Sequence, residues 1–249
     1  MDASTQHLTV IHREQSSAAE VEAILRYDQI SVVLQPIVRL RDRKIVGVEA
    51  LSRFTAEPPR KPHKWFALAH EVGLGVDLEV FAIQKALELL PTLPTNIYMS
   101  VNVSPATLIG GYLGALLFGT RWSRIVLEVT EHAAVGDYAA LNRALQPLKE
   151  LGARLAVDDA GAGYASLRHI ASIAPDIIKL DMSMARDVAS DRGARAVVAA
   201  LVSFARESGS VVVAEGIETT EQLNALQTQG VHYGQGYLLG KPTVPRDVR

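Results

Sequence analysis

The sequence predicts a closed α/β barrel whose sheet is parallel except for one strand. Three observations carry that expectation. Short apolar runs alternate with helical periodicity along most of the chain, and repeated strand–helix units build a parallel sheet. The number of such units in 249 residues favours closure into a barrel over an open doubly wound sheet. Ahead of the alternation, two strand-like runs at 31–40 and 44–54 are joined only by Arg41-Asp42-Arg43. So short a link requires an antiparallel hairpin, because a parallel pair needs a longer crossover.

The elements follow in order. Residues 1–15 are polar and aperiodic and are expected to be poorly ordered, ahead of one domain over 16–249. Ser16 or Ser17 is placed to cap a helix to about residue 27, with Val21, Ile24 and Leu25 on its apolar face. After the hairpin, the turn-rich Glu57-Pro58-Pro59-Arg60-Lys61-Pro62 leads into helical periodicity at 63–72 and again at 76–90. A strand at 97–103 precedes Pro105, which suits the first position of a short helix. Strands are expected at 125–130, 154–158, 176–180 and 211–215. Helices alternate with them at 138–151, 164–173, 192–208 and 221–229, and a last short strand begins at His232.

Composition narrows the function. A formal net charge of −2 gives no sign of a surface that coats a nucleic acid polymer. With no cysteine, disulfides and thiolate metal sites are excluded, so any metal must be held by oxygen or imidazole. The N-terminus lacks a signal-peptide pattern, and no apolar run is long enough to span a membrane. The chain is therefore expected to be soluble and cytoplasmic.

Chemistry gathers at strand ends, where an α/β barrel holds its ligands. Side chains alternate faces along a strand, so Glu49, Leu51 and Arg53 share one face of their run. Asn102 lies opposite Val101 and Val103, Glu128 opposite Glu131, and Lys179 shares its face with Asp181. Glu215 ends another apolar run, and 155–157 ends in Asp158-Asp159 before Ala160-Gly161-Ala162-Gly163. One buried charge is ordinarily a paired structural feature. Glu49, Glu128, Asp158, Asp159 and Glu215 at one barrel mouth would instead repel one another severely without cations. With Asn102 as a neutral oxygen donor, the set suits Mg²⁺, Mn²⁺ or Ca²⁺, and the number of acids points to two ions. Such a pair, about 3.5–4 Å apart, activates water for attack on phosphorus. Lys179 is suited to orient that water or offset developing charge, and Arg53 to contact phosphate. Asp158 and Asp159 reach one site only if the strand ends or twists there, since regular parity sends them to opposite faces.

The histidines at 63, 70, 169 and 232 lack ligand spacing with each other or with the acids. Gly161-x-Gly163 lacks the rest of a dinucleotide fingerprint.

Taken in order, these blocks resemble one family. Gln35-Pro36, Glu49-Ala50-Leu51-Ser52-Arg53, Val101-Asn102-Val103-Ser104, Glu128-Val129-Thr130-Glu131, Asp158-Asp159, Ile178-Lys179-Leu180-Asp181, Ala214-Glu215-Gly216-Ile217-Glu218 and Gln235-Gly236-Tyr237 are similar to the motifs of EAL domains, the bacterial cyclic di-GMP phosphodiesterases. The resemblance covers about residues 21–242. It implies a modified TIM-like (β/α)8 barrel with one antiparallel strand near the N-terminus. It also implies hydrolysis of cyclic di-GMP to linear pGpG with two Mg²⁺ or Mn²⁺ ions. Carried over residue by residue, it makes Glu49, Asn102, Glu128, Asp158, Asp159 and Glu215 metal ligands, with Asp159 as the bridge. Lys179 becomes the catalytic lysine, acting with Glu49 and Asp159. Gln35, Leu51, Arg53, Asp181, Glu218 and Gln235 become substrate contacts, and Glu131 the anchor of the loop after the paired aspartates. Homodimerisation and attached regulatory domains are further implications.

The sequence departs from the family in that loop. Ala160, Ala162 and Ala165 stand where Phe, Thr and Ser are commoner, while no expected ligand is altered. The competing reading is a catalytically silent receptor that binds cyclic di-GMP. Such members typically lack an acid of the metal set, and this chain lacks none.

Overall fold

The computed structural model describes residues 16–116, 119–130, 137–160 and 167–244. Eight strands close into a barrel in sequence order, with helices packed outside. The sequence expectation holds in the detail that distinguished it: strand β1 (Ile30–Arg39) runs antiparallel to both neighbours, β2 (Ile45–Phe54) and β8 (Tyr233–Gly234). The parallel remainder comprises β3 (Tyr98–Asn102), β4 (Ile125–Thr130), β5 (Arg154–Ala160), β6 (Ile177–Leu180) and β7 (Val211–Ala214). The expected disorder of 1–15 lies outside the described residues.

Local chemistry places the helices. Helix α1 spans residues 16–26 and buries Val21 and Ile24 against Trp65 and Ala69 of α2 (Pro62–Glu71) and Leu78 of α3 (Gly75–Leu87). This forms a satellite core beside the barrel. Pro105 opens α4 (Pro105–Ile109) as expected, and the Ser104 side chain caps it by accepting from the Thr107 N–H. Helix α5 spans Tyr138–Glu150, α6 Leu167–Ile173 and α8 Arg192–Ser208. Asp191 caps α8 and Gly209, at φ +76°, ends it in the left-handed conformation that glycine adopts at least cost. Thr219 and Gln222 form a capping box at the start of α9 (Thr220–Thr228). One α-helix among the described residues escaped the sequence reading: α7 (Met182–Asp187), six residues long, is too short to show periodicity and is started by its Asp181 cap.

The main apolar core lies between the sheet and its helices. A second cluster fills the lower barrel: Ile37, Tyr98, Val126, Ala156, Ile177 and Val213, with Tyr233 packed against it. Each comes from a different strand. Strand β2 contributes Gly47 to this level because Tyr98 leaves no room for more; a Cβ there would lie 2.4 Å from the phenol ring. The barrel therefore has a closed apolar floor.

Candidate metal centre

Two positions toward the barrel mouth from each floor residue, every strand delivers a polar side chain. These are Gln35 from β1, Glu49 from β2, Ser100 from β3, Glu128 from β4, Asp158 from β5 and Lys179 from β6, with Glu215 and Gln235 just beyond β7 and β8. The period of two along a strand makes the floor and the site share the inward face. The eight side chains form one connected network.

Lys179 is its hub. Its Nζ lies 2.6 Å from Glu215 Oε1, 2.7 Å from Glu128 Oε2, 3.2 Å from Asp158 Oδ1 and 3.7 Å from Glu49 Oε2. Glu49 is held in turn by Asn102 Nδ2, which donates to Oε1 at 3.2 Å, and by Gln235 Nε2, which donates to Oε2 at 2.6 Å. Gln235 also donates to Gln35 Oε1 at 3.0 Å, and Gln35 Nε2 to the Gly240 carbonyl at 3.2 Å. Ser100 Oγ donates to Glu128 Oε1.

Four carboxylates around one ammonium leave excess negative charge in a poorly solvated place. Burial pushes the Glu128 carboxyl well above the usual range, although Lys179 opposes it. Burial likewise pushes Glu215 up to about 7 against the pull of Lys179, with Asp158 and Glu49 adding repulsion. Burial pulls the Lys179 ammonium down, but its surrounding carboxylates outweigh that and hold it well above the ordinary lysine value.

The paired aspartates resolve the parity problem by breaking the strand at Asp159 itself. Its φ of +59° is left-handed, and the β5–β6 register shifts between Val157 and Ala160. The strand thus continues two residues past the expected end at 158, and Asp158, Asp159 and Glu215 each bring a carboxylate oxygen within 4.8 Å of the others. Asp and Asn are among the non-glycine residues that tolerate this conformation best. An all-oxygen donor set with unbalanced negative charge fits hard divalent cations, so the residues present suit the expected metals.

The remaining expected residues divide. Leu51 and Arg53 sit on the rim with Asn102 and Ser104, lining a cavity of about 610 Å³ that extends toward Phe66 and Glu79. Arg53 is exposed and donates to the Ser52 carbonyl at 2.8 Å. Glu218 is exposed next to Glu215's loop. Asp181 is engaged at the start of α7, accepting from the Ser183 N–H at 2.9 Å and from its hydroxyl. Gln35 and Gln235 are buried against Glu49. Glu131 and the 161–166 loop lie outside the described residues; Ala160, at the loop's threshold, is buried in the main core.

Ser100 is the residue the sequence reading missed. Its signal was available: it follows the floor residue Tyr98 by two and precedes Asn102 by two, so it shares their inward face.

Comparison with known proteins agrees with this geometry. A family model described as EAL domain matches residues 18–242. The cyclic di-GMP phosphodiesterase PA2567 of Pseudomonas aeruginosa is 31% identical over 240 residues, 91% of this chain and 40% of that protein. Among solved structures, the cyclic di-GMP complex of the PaMucR phosphodiesterase superposes with a TM-score of 0.82 at 27% identity, covering 94% of this chain and all of that one. The manganese/cyclic di-GMP complex of BlrP1 from Klebsiella pneumoniae gives 0.77 at 30% identity, covering 87% and 57%. The chain spans less than half the length of the curated relatives it matches.

Proposed function

The chain belongs to the EAL domain family, and from that membership we propose that it hydrolyses one phosphodiester bond of cyclic di-GMP to give linear pGpG, using two Mg²⁺ or Mn²⁺ ions. The observation that carries the reading is the convergence of Asp158, Asp159 and Glu215 beside the Lys179 hub, with every acid of the expected ligand set present.

In this reading Glu49, Asn102, Glu128, Asp158, Asp159 and Glu215 would hold the ions, with Asp159 the carboxylate that would serve both. Bound divalent ions supply Lewis-acid charge to phosphate oxygens and make a nearby water more acidic. The chain's own groups do the rest. Lys179 carries a fixed positive charge within reach of the acids, where it orients the attacking water and offsets charge that builds on phosphate. Gln235 and Asn102 fix Glu49 by donating to one oxygen each. Arg53, on the rim, grips a phosphate once it turns from the Ser52 carbonyl. The adjoining cavity has the size of an ordinary small-ligand site and takes the part of the nucleotide nearest Leu51 and Arg53. Gln35, Asp181, Glu218 and Gln235 complete the proposed substrate set, and Glu131 the loop anchor. A homodimer, and regulatory domains in a longer protein, belong to the same proposal. Among the described residues no helix is long and apolar enough to cross a membrane.

The test is incubation with cyclic di-GMP and Mg²⁺ or Mn²⁺, followed by separation of the nucleotides. The expected result is pGpG, stopped by EDTA and nearly abolished by Glu49→Ala or Lys179→Ala. Tight binding without turnover would favour the receptor reading, and neither binding nor cleavage would sink both.

A further inference from the structure

Glu128 is the most enclosed carboxylate of the network, and protein donors engage both of its oxygens. Lys179 reaches Oε2 at 2.7 Å, while Ser100 donates its hydroxyl to Oε1. The two donors differ in what they fix. Lys179 is a point charge on a flexible stem, shared among four carboxylates. It neutralises without defining the carboxylate plane. Ser100 has one rotor on a strand whose backbone is paired on both sides, with Glu49 in β2 and Val126 in β4, and it is 1% exposed. A hydroxyl so placed sets where Oε1 lies.

We infer that Ser100 is the positioning residue for Glu128, its hydroxyl fixing the orientation in which that carboxylate serves a divalent ion. The inference rests on the proposed metal-dependent reading of the site. A carboxylate oxygen has two lone pairs, so one bond from Ser100 and one from Lys179 leave acceptor capacity on each oxygen for an ion. A glutamate already held in place loses less freedom when it binds metal than one that must be ordered first. Partners of this kind commonly change metal affinity 10–100-fold when removed. Among the described residues the Ser100 hydroxyl bonds Glu128 and none of the expected substrate contacts, so its loss should act through metal occupancy.

The experiment is Mn²⁺ titration by calorimetry on the full chain and on Ser100→Ala, Ser100→Cys and Ser100→Thr. Thermal unfolding in EDTA checks that each variant is folded. Cysteine keeps the shape of serine, somewhat enlarged, with a far weaker donor, so it carries the test should the alanine variant not fold. The expected result is roughly tenfold weaker Mn²⁺ binding in the alanine and cysteine variants, recovered in the threonine variant. The Mn²⁺ concentration for half-maximal turnover should rise in parallel, with turnover at saturating Mn²⁺ largely restored. Wild-type affinity in a folded Ser100→Cys protein would overturn the role of Ser100 while leaving the metal centre standing. Failure of the wild-type chain to bind Mn²⁺ would overturn both.

Discussion

Lys179 Nζ and Glu128 Oε2 meet at 2.7 Å with each side chain only 1% exposed, so neither charge has water to fall back on. The lysine also answers Glu49, Asp158 and Glu215. Among the described residues, this one ammonium is the ion-pair partner of all four acids.

Lys179→Met should therefore do two separable things. Metal-free stability should fall by about 3 kcal/mol, the scale for breaking a buried charge pair, read from urea unfolding in EDTA. Turnover should fall by roughly 10²–10³, the scale for losing a preorganised electrostatic contact. Because the acids then lack their internal cation, Mn²⁺ should raise the melting temperature of the variant more than that of wild type. An equal rise in both would contradict this account of the hub.

Acidity of the site should show in metal binding. Glu215 titrates near 7 in the folded metal-free protein and at its ordinary value of 4.5 when unfolded. A raised carboxyl favours the protonated folded state, so its contribution to stability is complete below about 4.5 and is lost as pH rises through about 7. Metal binding needs the deprotonated form. Mn²⁺ affinity should accordingly increase between pH 6 and 8, with proton release measurable by calorimetry in two buffers. A flat affinity profile would show that Glu215 is not titrating in that range.

Asp159 combines a charge with a left-handed backbone at φ +59°, and substitutions can separate the two. Asp159→Asn and Asp159→Gly should both lose most of the Mn²⁺-induced rise in melting temperature. In EDTA, Asp159→Ala should be about 1 kcal/mol less stable than Asp159→Gly, because alanine resists this conformation. Equal stability would mean the bulge relaxes once the aspartate is gone.

The floor makes an independent prediction. Gly47→Ala drives a Cβ against the Tyr98 ring and should cost about 1–3 kcal/mol by overpacking. Tyr98→Phe should cost little, since the buried phenol oxygen has no hydrogen-bond partner among the described residues. Chemical denaturation of both variants decides the point.

Much of this was legible in the residues because a barrel strand has a period of two. Glu49, Glu128 and Lys179 stood out as charges on the face of β-branched runs, and the structure joins all three. The parity conflict at Asp158 and Asp159 announced a break, which the structure places in Asp159's own backbone. Ser100 was passed over because a small hydroxyl is ordinary in a strand, and its partner is 28 residues away. The Gln35–Gln235 bond joins positions 200 apart, which no local pattern encodes. Asp181 was read for substrate alone, because the six-residue helix it caps is too short to register as periodic.

The sealed floor of Ile37, Tyr98, Val126, Ala156, Ile177 and Val213 has a kinetic consequence. In the proposed reading, ions near Lys179 and a nucleotide above them would share the route through the barrel mouth, because the floor is packed with apolar side chains. An ordered sequence is then expected, in which cations load before the nucleotide. Occupancy by ligand then acts as a cork, and metal escape during turnover should be slower than from the resting protein.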